Sequence, residues 1–238
     1  MLLRLFFAAF AAGAIAGIGI TALQQVTTAP LIHKAEIFEN NAAAAHGLAK
    51  ADSSAAEHPD PAPMGGVERI AYTALTNFIL GVGFALLLVG CFALHGRTVT
   101  GQTGVLWGLA GFAVFTLGPG IGLPPELPGM AAGDLPGRQA WWLLAAGCTA
   151  GGLWLLVMKR GLAAKIGGIA LLAAPGIIGA PHPDGLDSAV PAELASRFAA
   201  TSIIVSAVFW AALGWLAGAF HARLAKFGAH RPDAAATP

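Results

Sequence analysis

Apolar residues gather in runs about 20 residues long that recur along the whole chain, the length a helix needs to cross the hydrocarbon core of a bilayer. The runs predict six membrane-spanning helices at residues 5–23, 70–94, 105–123, 140–158, 161–180 and 198–220. The expected architecture is an all-α polytopic membrane helix bundle of about six transmembrane helices, with no separate soluble domain. Residues 1–227 form the transmembrane domain. Within it, 42–66 reads as a flexible external loop, rich in Ala, Pro, Ser and Asp and without aromatics. Residues 228–238 read as a disordered cytoplasmic tail.

Two spans need separate argument. Arg4 precedes the first, and Thr27-Thr28-Ala29 ends in a small residue, as in a secretory signal. Its apolar stretch exceeds the 7–15 residues of a signal h-region, which favours an uncleaved helix; cleavage would leave five helices. The fifth span carries Lys165 near one end, where the ammonium reaches the headgroups.

Composition agrees: 56% of residues are hydrophobic, 11% are charged and the mean hydropathy is +0.71. Soluble domains carry about 25% charged residues, so this chain belongs in lipid. Charge placement adds an orientation. With the N-terminus inside, Arg4, Arg97, Lys159, Arg160, Lys165, Arg223, Lys226 and Arg231 all face the cytoplasm, as the positive-inside rule requires. The other face then holds eleven of the twelve acidic residues, Asp233 being the exception, against Lys34, Lys50, Arg69, Arg138 and Arg197. Such an acidic mouth concentrates cations over about 8 Å at physiological salt. Both termini are expected in the cytoplasm.

The outward-going helices share a feature at their far ends. Pro30, Pro119 and Pro175 each precede an isoleucine by two positions, and polar ligand types follow soon after. Each returning helix then begins near an arginine: Arg69, Arg138 and Arg197 at the outer boundary. Three repeated helical hairpins would produce this pattern, as internal repeats do in many transporters, and chance recurrence of common residues would too. A proline inside a membrane helix removes one hydrogen bond and opens the preceding turn, near Phe115 for Pro119 and Leu171 for Pro175. Irregular backbone at that depth usually lines a cavity, while a proline at the interface merely ends a helix.

Gly13, Gly17, Gly81, Gly104, Gly108 and Gly111 stand at three- or four-residue spacing and predict close helix packing in a compact bundle or a homo-oligomer. The six tryptophans mostly fall toward span ends and read as an aromatic belt. Asn77, Thr73, Thr76, Gln24 and Gln25 are the main polar groups within the bilayer and read as interhelical hydrogen-bonding residues. Cys91 and Cys148 lie inside spans without metal or redox spacing and read as small hydrophobes.

Candidate chemistry concentrates in the external connections. Borderline divalent ions such as cobalt or nickel accept imidazole together with carboxylate oxygen. Pro181-His182-Pro183-Asp184 sets both donor types two residues apart on a stiff backbone, and Glu126 sits in Leu123-Pro124-Pro125-Glu126-Leu127-Pro128. His33 and Glu36 have the i, i+3 spacing that puts two side chains on one helix face. The candidate metal ligands are therefore His182, Asp184, Glu126, His33 and Glu36. A turn, or a solvated surface helix bearing Lys34 and Glu39, explains the same residues without metal. His46 and His58 read as solvated. Phosphate-loop, HExxH, GxSxG and dinucleotide fingerprints are missing, and the basic residues are not clustered for nucleic acid. No catalytic residues and no resident cofactor are expected, and the chain reads as a non-enzyme.

Several blocks in order resemble one family. They are Leu5-Phe6-Phe7-Ala8-Ala9 leading to Gln25-Val26-Thr27-Thr28-Ala29-Pro30-Leu31-Ile32, Glu68-Arg69-Ile70-Ala71-Tyr72-Thr73, and Gly104-Val105-Leu106-Trp107-Gly108. They continue with Leu123-Pro124-Pro125-Glu126-Leu127-Pro128-Gly129-Met130, Arg138-Gln139-Ala140-Trp141-Trp142 and Pro181-His182-Pro183. These resemble the bacterial cobalt transporter subunit family CbtA. The resemblance implies a membrane permease subunit for cobalt uptake linked to cobalamin synthesis, with cobalt as transported substrate and nickel as the alternative ion. It also implies a small single-helix, histidine-rich membrane partner similar to CbtB. Members often carry more histidine in the loop corresponding to 42–66, where this chain has two. The rival reading is a structural or assembly subunit that transports nothing.

Overall fold

A computed structural model describes residues 2–49, 66–183, 185 and 188–229. The described residues are helical and contain no strand. In order, the elements are α1 (Leu2–Val26), α2 (Ala29–Ala49), α3 (Val67–His95), α4 (Gly101–Phe112), a π-helical stretch (Ala113–Leu117), α5 (Gly118–Gly122), α6 (Leu135–Met158), α7 (Leu162–Ile178) and α8 (Ala192–Ala229). Five segments are long and apolar enough to cross a membrane: Leu5–Val26, Val67–His95, Gly101–Gly122, Leu135–Met158 and Ala192–Leu224. They coincide with five of the six expected spans. The remaining one, 161–180, is the shorter apolar helix α7 of 17 residues. At 1.5 Å per residue it is about 25 Å long, less than a hydrocarbon core of about 30 Å.

Two local corrections follow. The segment 42–66 was expected as a loop, but α2 continues through Ala49, so its first eight residues are helical. Ala42-Ala43-Ala44-Ala45 explains this, because alanine has the highest helix propensity of any residue. Residues 50–65 of that segment lie outside the described residues. Likewise α8 extends to Ala229, two residues into the expected tail.

The chain divides into two compact units. The first comprises residues 1–23, 67–112 and 206–238, the second 24–66 and 113–205.

Glycine contacts build the first unit. A Cβ at Gly13 would overlap the backbone at Gly81 and Val82, and one at Gly17 the Asn77 carbonyl, so α1 and α3 touch backbone to backbone. A Cβ at Gly104 would overlap the Gly214 carbonyl, and at Gly108 the Trp210 carbonyl, which locks α4 to α8. Trp210 is 2% exposed, with its ring 4.6 Å from that of Phe84 and against Gly111. The belt reading therefore fails for Trp210, and for Trp141, which is also buried. Trp154 and Trp215 are exposed. Lys159 lies 4.7 Å over the Trp154 ring, as a cation at the end of a span should.

One polar contact crosses the α1–α3 seam. Asn77 Nδ2 donates to Thr21 Oγ1 at 3.0 Å, and that hydroxyl donates to the Gly17 carbonyl at 2.8 Å. The expected interhelical role of Asn77 is thus seen, with Thr21 as the partner that went unnoticed in sequence. Asn77→Leu should destabilise the detergent-solubilised protein by about 0.6 kcal/mol, the average for such bonds in membranes, and by no more than about 1.7 kcal/mol. Thermal unfolding followed by circular dichroism reads this out, and an unchanged or raised midpoint would contradict the assignment.

In the second unit α6 packs on α7 through Gly152 and Gly168, each against the other's carbonyl. The expected helix disruptions take three forms. Pro30 stands in the first turn of α2, where a missing N–H costs nothing, and the break falls just before it. There Thr27 and Thr28 both donate to the Gln24 carbonyl, and Leu31 and Ile32 both donate to Thr28. Pro119 is buried in α5, directly after the π-helical stretch, a common local adjustment near a proline. Pro175 is buried inside α7, which continues for one turn beyond it.

Candidate metal site at the helix connections

Most candidate ligands fall on three pieces of the second unit: α2, the α5–α6 connection (123–134) and the α7–α8 connection (179–191). An apolar cluster holds these pieces together. Leu31 and Ala35 of α2, Leu127, Val190, and Phe198 of α8 are all buried in it. Main-chain bonds fix the connections: Ala189 N donates to the Gly129 carbonyl at 3.2 Å, and Met130 N to the Leu127 carbonyl at 3.2 Å. Gly129 has φ +80° and packs against Glu39 of α2, so this turn needs a residue without a Cβ.

Helix α6 starts on a cap. Asp134 Oδ2 accepts from Gly137 N at 2.9 Å, with Pro136 in the first turn. This start aims Arg138 back along the connection, where its Nη2 donates to Glu126 Oε2 at 2.6 Å. Both side chains are about a quarter exposed, 24% and 25%. The Glu126 carboxylate is thus held by a guanidinium, and a metal would have to displace that cation to reach it.

The other candidates are placed as follows. His33 Nδ1 lies 3.2 Å from Glu36 Oε2 on α2, an imidazole and a carboxylate already within hydrogen-bond reach of each other. His182 is exposed, with its backbone against Gly133 of the α5–α6 connection. Asp184 and His58 lie outside the described residues, and His46 lies on α2. The structure therefore brings together His33 with Glu36 and Glu126 with Arg138. Among the described residues, no three His, Cys, Asp or Glu side chains group closely enough to hold an ion. Arg69 and Arg138 stand in the first turns of α3 and α6, and Arg197 in the second turn of α8. Asp134 was missed as the group that sets Arg138, although an acidic residue followed by Leu-Pro-Gly is a recognisable helix start.

The model of the family described as "Probable cobalt transporter subunit (CbtA)" matches residues 2–222. The chain belongs to the CbtA family. The match spans α1 through most of α8, so the shared sequence is the helical membrane bundle together with its connections. The CbtA family is described as a probable cobalt transporter subunit, and a membrane location agrees with the chain's five long apolar helices. No curated protein and no solved structure matches it.

Proposed function

We propose that this CbtA family member is the permease of a bacterial cobalt uptake system feeding cobalamin synthesis. The supporting observation is the family match over 2–222, which covers every long apolar helix and both connections that carry ligand types. The ion gathers at an acidic outer face, with both termini in the cytoplasm of a cell bounded by the inner membrane. His33 with Glu36 and His182 with Asp184 supply imidazole and carboxylate donors suited to cobalt, or to nickel as its competitor. Glu126 reaches the ion after exchanging Arg138 for it, and the helices broken at Pro119 and Pro175 surround the route inward. A single-helix, histidine-rich subunit delivers metal to this face.

Cells expressing the chain with its partner should accumulate cobalt. His182→Ala and His33→Ala should each lower the initial uptake rate several-fold at limiting cobalt, without changing the amount of protein in the membrane. Full uptake by both variants would remove these residues from the route. A second reading, a scaffold subunit that transports nothing, draws support from the lack of a three-ligand group among the described residues.

A further inference from the structure

The connection between α3 and α4 (96–100) is short and bonded at both ends. Gly96, at φ +72°, closes α3 by donating its N–H to the Phe92 carbonyl at 3.2 Å. Thr100 and Thr103 open α4 as a reciprocal cap, Thr100 N donating to Thr103 Oγ1 at 2.9 Å and Thr103 N to Thr100 Oγ1 at 3.4 Å. Val99 lies between these caps and is 2% exposed, so its N–H needs an acceptor other than solvent.

Helix α8 supplies that acceptor. Val99 N donates to His221 Nδ1 at 3.3 Å. The imidazole stands edge-on to the ring of Phe92 in α3, with ring centres 5.7 Å apart. Three residues earlier, a Cβ on Gly218 would overlap the Thr100 carbonyl, and three earlier again Trp215 packs on Gly101. His221, Gly218 and Trp215 thus hold the connection at successive steps along α8. This helix has 38 residues and is about 57 Å long, far more than a hydrocarbon core of about 30 Å. The connection is non-helical backbone carrying Arg97 and belongs outside that core, where water brings protons to the partly exposed His221.

The bond to Val99 N exists in one protonation state. An imidazole nitrogen accepts only while it carries no proton, whereas imidazolium donates from both nitrogens. Nδ1 also lies 3.4 Å from the Val99 carbonyl oxygen. Protonation therefore turns Nδ1 from the N–H to the carbonyl, and the buried Val99 N–H loses its acceptor. The new charge gains no counter-ion here. The titratable and charged groups on the elements around it are Cys91 and His95 of α3, Arg97 of the connection and Arg223 of α8, while α4 carries none. Among the described residues of this compact unit the sole carboxylate is Glu68, in the first turn of α3 at its opposite end. We propose that His221 is a pH-sensitive clasp: neutral, it fastens the α3–α4 connection to α8, and its protonation releases that connection. In the orientation proposed above the connection faces the cytoplasm, so the clasp answers to cytoplasmic acidification. It rests on the bond to Val99 and not on the permease reading.

Hydrogen–deuterium exchange of the full chain in detergent tests this, read on the peptide containing Val99 and corrected for intrinsic exchange. Imidazole is the side chain that ordinarily changes charge between pH 5 and 8, so the comparison is between about pH 7.5 and about pH 5.5. Protection of the Val99 amide should fall several-fold at the lower pH. His221→Asn, whose amide oxygen stands in for Nδ1 without titrating, should remove this pH dependence. His95→Ala should keep it, because the His95 ring packs on Trp107 and not on the connection. Equal protection of the unmodified protein at both pH values overturns the proposal. So does a fall in His221→Asn equal to that of the unmodified protein, or its disappearance in His95→Ala.

Discussion

Gly108→Val is expected to abolish the folded protein. A Cβ at 108 would overlap the carbonyl oxygen of Trp210 and crowd Gly214, and both contacts are backbone. No rotamer change relieves them, so α4 and α8 would have to separate along the seam where Gly104 also meets Gly214 and Gly218. Overpacking a core costs about 1–3 kcal/mol when side chains can shift. Here two helix backbones must move apart around a buried Trp210, and the loss should consume most of a total stability of about 5–15 kcal/mol. Gly83→Val and Gly90→Val are the controls, since a Cβ at either position meets nothing within 4 Å. Size-exclusion chromatography in detergent checks this: aggregated protein for Gly108→Val and monodisperse protein for the controls. A monodisperse Gly108→Val with an unchanged melting temperature would contradict the packing.

Arg138→Met should cost about 1–3 kcal/mol, between the values for exposed and fully buried pairs, because it strands the Glu126 carboxylate in a site three-quarters shielded from water. Adding Glu126→Gln should recover much of that loss, since the stranded charge and not the missing bond carries the penalty. Thermal unfolding of the two single variants and the double variant measures the coupling. Strictly additive losses would show that the 2.6 Å pair does not hold the connection to α6.

Helix positions were legible because lipid leaves the backbone no other way to satisfy its polar groups, so an apolar run of sufficient length is a helix. The limits of this reading are equally physical. Helix α2 has no sustained apolar run, since His33, Lys34, Glu36, Glu39, Asn40 and Asn41 interrupt it, and it is held by Leu31 and Ala35 packing on Leu127 and Val190. Those contacts are distant in sequence. Trp141 sits near a span end like an interfacial tryptophan, and only the glycine opposite it, Gly122, marks it as interior, whereas Trp210 lies at the middle of its span against Gly111.

The chemistry of the connections was legible in type but not in partnership. Imidazole and carboxylate were expected at His33 and Glu36, and the helical spacing that suggested their meeting is the spacing seen. Glu126 looked equally available. Its pairing with Arg138, twelve residues away, depends on the Asp134 cap and the 127–130 turn, whose geometry a composition of prolines and glycines does not specify.

The proposed permease carries cobalt across a membrane. The most direct measurement is Co²⁺ entry into sealed liposomes containing the purified chain, alone and with the proposed single-helix subunit, under an inside-negative potential. Such a potential contributes about 2.3 kcal/mol per charge per 100 mV, roughly twice that for a divalent ion. The account predicts saturable Co²⁺ accumulation that collapses when the potential is dissipated. Entry no faster than into protein-free liposomes, with the partner present and the chain folded, would contradict it.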